Sequence, residues 1–493
     1  MNPLATHIAP IPRLASGVSG LDAILGGGFL QSGAYMVMGS PGSGKTILAN
    51  QICYHHVAQG NRAVYVTLLA ESHARMLQHL GTMSFYDESV IPEKLAYISA
   101  YHDLESAGLK GLMDVLRREM RARKTTVLVL DGLVAASQAA ANESDMKKFI
   151  HEIQSSAVFL GCTVFLLTSG SAPRVYAEHT MVDGLIELED SLFDARSERS
   201  IQVRKFRGSN TMRGKHAVTI TNDGITVYPR IEAMYWQPQG DEDISGALST
   251  GIPSLDELIS CGGVPKRSVS VVIGSSGTGK TTMGLHFVSR STPQEPGLLY
   301  SFFESPSRLR IKAKAFGIDL AALEASGAVQ IVWHSLGEHM LDALGHDLLD
   351  MISAKGIKRV VIDGLSGFAE SSVYPERTNR FFSCLANEMR RRGATALMSL
   401  ETRDVVSTTI STPYGVSGFV DNLFFLRFVE KKGAVLRLLT ITKMRDTDFD
   451  VGLNGVHVDS TGMRIAGRHS ADGDVIPSAT AVDEKRSPEG AVP

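Results

Sequence analysis

Two short segments of this sequence have the residues needed to hold phosphate. One is Gly39, Ser40, Pro41, Gly42, Ser43, Gly44, Lys45 and Thr46; the other is Gly274, Ser275, Ser276, Gly277, Thr278, Gly279, Lys280 and Thr281. Both fit G-x-x-x-x-G-K-[ST]. Each follows an apolar run and opens a helical stretch, the context the motif requires. The glycines let the backbone curl until its N–H groups face an anion. The helix that follows adds the positive end of its dipole. Lys45 and Lys280 reach the β- and γ-phosphates of a nucleotide, and the hydroxyls of Thr46 and Thr281 are suited to Mg2+. A carboxylate completes such a metal site. Asp131 closes the run TTVLVLDG (125–132) and Asp363 closes KRVVIDG (358–364), so each ends an apolar strand. Together these residues account for binding a magnesium nucleotide.

Hydrolysis asks for two further groups. One must orient or deprotonate the attacking water. Glu71 and Glu304 stand at the end of the next apolar run, 26 and 24 residues after the phosphate-loop lysines, and are the candidates. The other reading of these acids is structural: Ser72 and Ser305-Pro306 look like helix starts, where acids are favoured. A cation must also meet charge developing on the γ-phosphate. Lys205 with Arg207, and Lys443 with Arg445, are spaced i, i+2, which puts each pair on one face of a strand. A solvated basic edge strand is the alternative. Such a pair need not serve its own nucleotide; in a ring it reaches a neighbour's, as an arginine finger in trans does.

The elements that must position these groups occur twice. Leu21-Asp22 matches Leu255-Asp256, Lys45 matches Lys280, Asp131 matches Asp363 and Lys205 matches Lys443, at separations of 232 to 238 residues. A period this long is a duplicated domain rather than a solenoid repeat. In each half, short apolar runs alternate with helical stretches such as 46–59 and 106–124. That alternation predicts an α/β fold, with a mostly parallel sheet covered by helices on both faces. Runs near 184–190 and 199–206, and again 421–429 and 434–443, predict hairpin strands added to each sheet. The expected organisation is a first domain over 1–230, an acidic linker over 231–246, a second domain over 247–467 and a disordered polar tail over 468–493. Trp236 is expected to pin the linker onto a domain.

Composition narrows the classes. The 493 residues allow two to four domains. A net charge of −3 excludes a polybasic protein that coats nucleic acid by charge alone. The four cysteines, Cys53, Cys162, Cys261 and Cys384, form no CxxC pair and suit no zinc site, so each is expected to be a small buried apolar group in a reducing compartment. The N-terminus has no secretory pattern, and no apolar run approaches the ~18 residues of a membrane span. The expected location is the cytoplasm, with no membrane partner.

The order SGxxxLD, GG, GxxxxGKT, Glu, Asp-ended strand and KxR, written twice over about residues 13–467, resembles the KaiC family of RecA-like ATPases. The resemblance implies two tandem RecA-like P-loop domains. It further implies a homo-hexamer with ATP and Mg2+ between protomers in both tiers, ATPase activity, and serine/threonine autokinase activity in the second domain. It makes protein signalling partners an expectation as well. Where the family has a Glu-Glu pair after the second strand, this sequence reads Ala70-Glu71 and Phe303-Glu304. The segment 419–433 resembles the strand after the family's phosphorylation site, which places Ser417 on the family's Ser, Gly418 on its adjacent Thr and Thr412 on a nearby Thr. Single-site phosphorylation at Ser417 is the resulting expectation.

Two other functions use the same core. A DNA-dependent recombinase or helicase needs basic, aromatic-interleaved loops facing a ring pore. The loops 133–148 and 365–379 carry two basic residues and one, so nucleic acid is not an expected partner. A nucleotide-gated scaffold with little turnover is the second alternative, and the missing first Glu in both halves favours it.

Overall fold

Strands covered on both faces must be apolar on both faces, so they read as continuous runs instead of alternating ones. The runs Ala34–Gly39, Ala63–Thr67, Val269–Gly274, Gly297–Ser301 and Arg359–Asp363 are buried at every position. The computed structural model describes residues 11–68, 73–170, 177–193, 195–236, 245–402, 413–431, 433–469 and 475–476. The chain divides into two compact units, Met1–Met234 and Tyr235–Pro493.

The first unit has a nine-stranded sheet and the second a ten-stranded one. In the first, the order is Leu95–Ser99, Ala63–Thr67, Val127–Asp131, Thr163–Ser169, Ala34–Gly39 and Gly184–Phe193, all parallel. The second repeats this with Val329–Trp333, Gly297–Ser301, Arg359–Asp363, Thr395–Glu401, Val269–Gly274 and Asn422–Lys431. Each parallel core then continues into antiparallel strands, first the expected hairpin partners Arg196–Phe206 and Ala434–Lys443. In both units one strand separates the phosphate-loop strand from the strand that ends in Asp131 or Asp363. That spacing brings each carboxylate to the carboxyl edge of the sheet near the loop.

The repeated SGxxxLD signature has a local cause. Asp22 accepts the Ser16 backbone N–H at 3.0 Å, and Asp256 accepts the Thr250 N–H at 2.8 Å and the Thr250 hydroxyl at 2.6 Å. Each carboxylate thus closes the turn that leads into the short helix Leu21–Ile24 or Pro253–Asp256.

Three expectations need revising. Trp236 does not pin the chain: it is 68% exposed, because Tyr235 beside it takes the contact, accepting a hydrogen bond from Arg392 at 3.2 Å with the guanidinium 5.8 Å from its ring. The second sheet runs past residue 467: Gly462–His469 is a strand, and Val475–Ile476 pairs back on it through Arg468 and His469. Cys53 and Cys162 are buried and Cys384 is partly so, but Cys261 is exposed because it sits in the tight turn before Gly262 and Gly263.

Candidate phosphate-binding sites

Each phosphate loop joins a buried strand to a helix whose first residue is the motif lysine, Lys45–Ala58 and Lys280–Ser289. Gly44 at φ +102° and Gly279 at φ +109° hold the helix start in a left-handed conformation that L side chains rarely adopt. At Gly44 a Cβ would also fall 2.7 Å from Ile220 Cδ1. The hydroxyls of Ser43 and Ser275, inside the two loops, are buried with no hydrogen-bond partner. Unpartnered buried polar atoms inside a phosphate-binding motif fit a ligand that supplies the missing partner.

In the first unit, Lys45 donates to the Gly39 and Ser40 carbonyls at 2.8 and 2.9 Å. Thr46 donates to Asp131 Oδ2 at 3.2 Å, and Tyr65 donates to the same oxygen at 2.7 Å. Burial raises the Asp131 carboxyl above the ordinary carboxylate value, against the pull of the Tyr65 and Thr46 hydrogen bonds. Burial likewise lowers Lys45, and Asp131 opposes that. A cavity of about 500 Å³ opens beside Thr46 and Asp131, with Thr67, His73 and Arg75 on its wall.

The second unit repeats the plan with different supports. Lys280 donates to the Ser275 carbonyl at 2.8 Å and lies 3.8 Å from Glu401. Thr281 donates to Asp363 Oδ1 at 3.2 Å, and Ser399 donates to it at 2.8 Å while accepting the Gly364 N–H at 2.8 Å. Burial raises Asp363 and lowers Lys280. Phosphate-loop residues, Phe303, Glu304, Lys312, Asp363 and Glu401 line a cavity of about 490 Å³.

The strand registers show a compensated exchange between the units. Tyr65 stands where the second unit has Leu299, and Ser399 stands where the first has Leu167. Besides the loop threonine, each unit therefore supports its aspartate with one further hydroxyl, but from opposite neighbouring strands.

The structure brings together the two loops' lysines, threonines and strand-end aspartates as the sequence pattern requires. Glu304 lines the second cavity, where its carboxylate is ion-paired to Lys312. Ser305 caps the helix Pro306–Lys314 without a side-chain cap bond. Phe303 lies against Gly364, with its ring on the cavity wall. Glu71 and Thr412 lie outside the described residues. The KxR pairs are not beside their own loops. Lys205 pairs with Leu185, which pairs with Met36, and Lys443 pairs with Leu423 and so with Val271, each the third residue of its phosphate-loop strand and short of the loop; the Arg207 N–H bonds the Asp183 carbonyl, level with Ala34 at the strand's start. Both pairs stand at the opposite end of the sheet from Gly39 and Gly274. Lys205 donates to the Thr180 carbonyl at 2.6 Å, and Lys443 donates to the Ser417 and Val420 carbonyls at 2.7 Å each.

The sequence reading missed Tyr65, Ser399, Lys312 and Glu401. Ser399 and Glu401 carried a usable signal, being polar residues at the end of the apolar run TALMSLET.

A parallel sheet with a phosphate loop, a magnesium-type Thr–Asp pair beside it, and the whole plan repeated in tandem define a two-domain RecA-like P-loop ATPase. A family model described as ATPase: KaiC matches residues 14–232 and 248–470. The chain belongs to the KaiC family and is a KaiC-like, ATP-binding ATPase. It is 25% identical over 491 residues to the circadian clock oscillator protein KaiC of Rippkaea orientalis, covering 96% of this chain and 93% of that relative. It is 26% identical over 504 residues to the KaiC of Thermosynechococcus vestitus (98% and 95% covered). It is also 25% identical over 480 residues to the circadian clock protein KaiC3 of a Synechocystis strain (92% of each). Among the described residues no helix is long and apolar enough to cross a membrane.

Proposed function

We propose that each unit holds Mg-ATP on its own phosphate loop, that chains assemble as a homo-hexameric ring in the cytoplasm, and that the second unit also phosphorylates Ser417 of a neighbouring copy. In this reading the loops Gly39–Thr46 and Gly274–Thr281 cradle the phosphates. Thr46 with Asp131, and Thr281 with Asp363, hold Mg2+, which when bound neutralises phosphate charge. Glu71 and Glu304 orient the attacking water.

The observation that carries the ring is the placement of the KxR pairs. Hydrolysis needs a cation at the γ-phosphate, and Lys205, Arg207, Lys443 and Arg445 point away from their own loops. A second copy packed against that end of the sheet receives them in trans. Ser417 sits in the turn Pro413–Gly418, exposed, with its carbonyl held by Lys443, so the residue lies next to the second KxR pair. The three relatives above are named circadian clock proteins; for this chain the reading extends to a signalling ATPase with protein partners.

Phosphopeptide mapping after incubation with Mg-ATP tests the kinase part. The expected phosphate lies on Ser417 and is absent from Ser417→Ala. Mixing Lys280→Ala chains with Ser417→Ala chains should restore it on the former, since donor and acceptor are then different copies. ADP release with Ser417 unmodified would reduce the second unit to a plain ATPase. A chain that stays monomeric by light scattering in Mg-ATP would remove the ring.

A further inference from the structure

The two sites differ at one position that faces the phosphates. In the parallel register, Glu401 stands beside Gly274, the first residue of the second loop, whereas the first unit puts Ser169 beside Gly39. The Glu401 carboxylate lies 3.8 Å from the Lys280 ammonium and lines the same cavity as Thr281, Asp363 and Glu304. Because Lys280 is the residue that reaches the β- and γ-phosphates, a carboxylate at ion-pair distance from it borders the γ-phosphate position.

Among the described residues three acids line this cavity, and two of them already have close partners. Asp363 is buried and accepts from Thr281 and Ser399. Glu304 is held by Lys312. Phe303, an apolar ring, occupies the place before Glu304 and cannot take a proton. Glu401 is 58% exposed and is held by Lys280 at a distance beyond direct hydrogen bonding. Nucleotide phosphates draw Lys280 toward themselves and leave this carboxylate as an available acceptor.

We propose that Glu401 is the general base of the second unit, an inference that rests on this unit hydrolysing ATP. The oxygen of a water molecule forms a bond to the γ-phosphorus while the bond to the β,γ-bridging oxygen breaks. ADP leaves with that electron pair, and the proton lost by the water passes to the Glu401 carboxylate, which then releases it to solvent. At the matching register the first unit has Ser169, whose side chain carries no carboxylate.

The experiment uses the full chain carrying Lys45→Ala, so that only the second site loads. Steady-state ADP release and the affinity for a non-hydrolysable Mg-ATP analogue are measured with Glu401, Glu401→Gln and Glu401→Asp. Removing a general base costs about 10²-fold or more in turnover. The expected result for Glu401→Gln is therefore a loss of about 100-fold at saturating ATP, with analogue binding equal or tighter because a negative charge beside Lys280 is gone. Glu401→Asp, which moves the carboxylate back by one methylene, should fall between with binding unchanged. Turnover by Glu401→Gln equal to the parent at saturation would overturn the inference, and so would a loss confined to affinity, which is the mark of a lysine-positioning ion pair. If the Lys45→Ala parent binds the analogue but releases no ADP, hydrolysis by the second unit is wrong and Glu401 as its base falls with it.

Discussion

Replacing Tyr65 with phenylalanine deletes one oxygen and leaves the ring in place. The ring is fully buried and packs 5.5 Å from that of Tyr97, so no cavity opens. What is lost is the 2.7 Å hydrogen bond to Asp131. A hydrogen bond to a charged group contributes roughly 1.5–3 kcal/mol net, about double a neutral one. Asp131 keeps Thr46 at the longer distance of 3.2 Å, so the loss is only partly offset. We expect the first unit to lose about 2 kcal/mol, or roughly 4–8 °C at 2–4 °C per kcal/mol for a unit of this size. The assay separates the units by their fluorophores. Both tryptophans, Trp236 and Trp333, belong to the second unit. Tyr65→Phe should therefore shift the unfolding transition seen by far-ultraviolet circular dichroism and leave the tryptophan transition where it was. A shift below about 0.5 kcal/mol would show that the hydroxyl does not support the carboxylate, and a shift in the tryptophan transition would show that the effect is not local.

Lys45→Ala and Lys280→Ala should each abolish nucleotide binding at one site and spare the other; unchanged stoichiometry in a titration with Mg-ATP would undo the assignment. Arg207→Ala and Arg445→Ala should lower turnover with little loss of affinity, and mixing them with the corresponding Lys→Ala chains should give partial recovery, while weakened binding with no mixing effect would speak against action in trans. The pH dependence follows from Asp363. Burial raises its carboxyl, so the folded second unit without nucleotide binds that proton more tightly than the unfolded chain does, and this contribution to stability declines as pH rises from the ordinary carboxylate value to the raised one. Mg-nucleotide needs the ionised form. Its stabilising effect should be full above the raised value and fade as pH falls through it, sooner than for an ordinary aspartate; thermal shifts with and without Mg-ATP across pH check this, and a flat ligand effect down to the ordinary carboxylate range would contradict it.

The duplicated fold and both phosphate loops were legible in the residues because their causes are local. A loop that wraps phosphate is eight consecutive residues whose glycines, lysine and threonine act within one turn, and a doubly covered strand declares itself by an unbroken apolar run. Asp131 and Asp363 were legible for a related reason, since a lone acid at the end of such a run stands at the sheet edge. The supports around them were not. Tyr65 lies 66 residues from Asp131 and Ser399 lies 36 from Asp363. Nothing in either run says which neighbouring strand supplies the hydroxyl, and the two halves solved it differently. Trp236 misled for the opposite reason: its size suggested a buried anchor, but burial depends on what the fold places beside it, and there it is Tyr235 that meets Arg392.

By itself, then, the sequence determined the α/β class, the tandem repeat and the phosphate-binding chemistry, all of which follow from short-range pattern and backbone freedom. Strand order and register, which long-range pairing alone sets, decided the rest. They set both KxR pairs away from their own phosphate loops and put Glu401 beside Lys280 from 121 residues further along the chain. The physical reason is that a one-residue change in pairing turns a side chain to the other face of the sheet, and strand order decides which strand it stands beside.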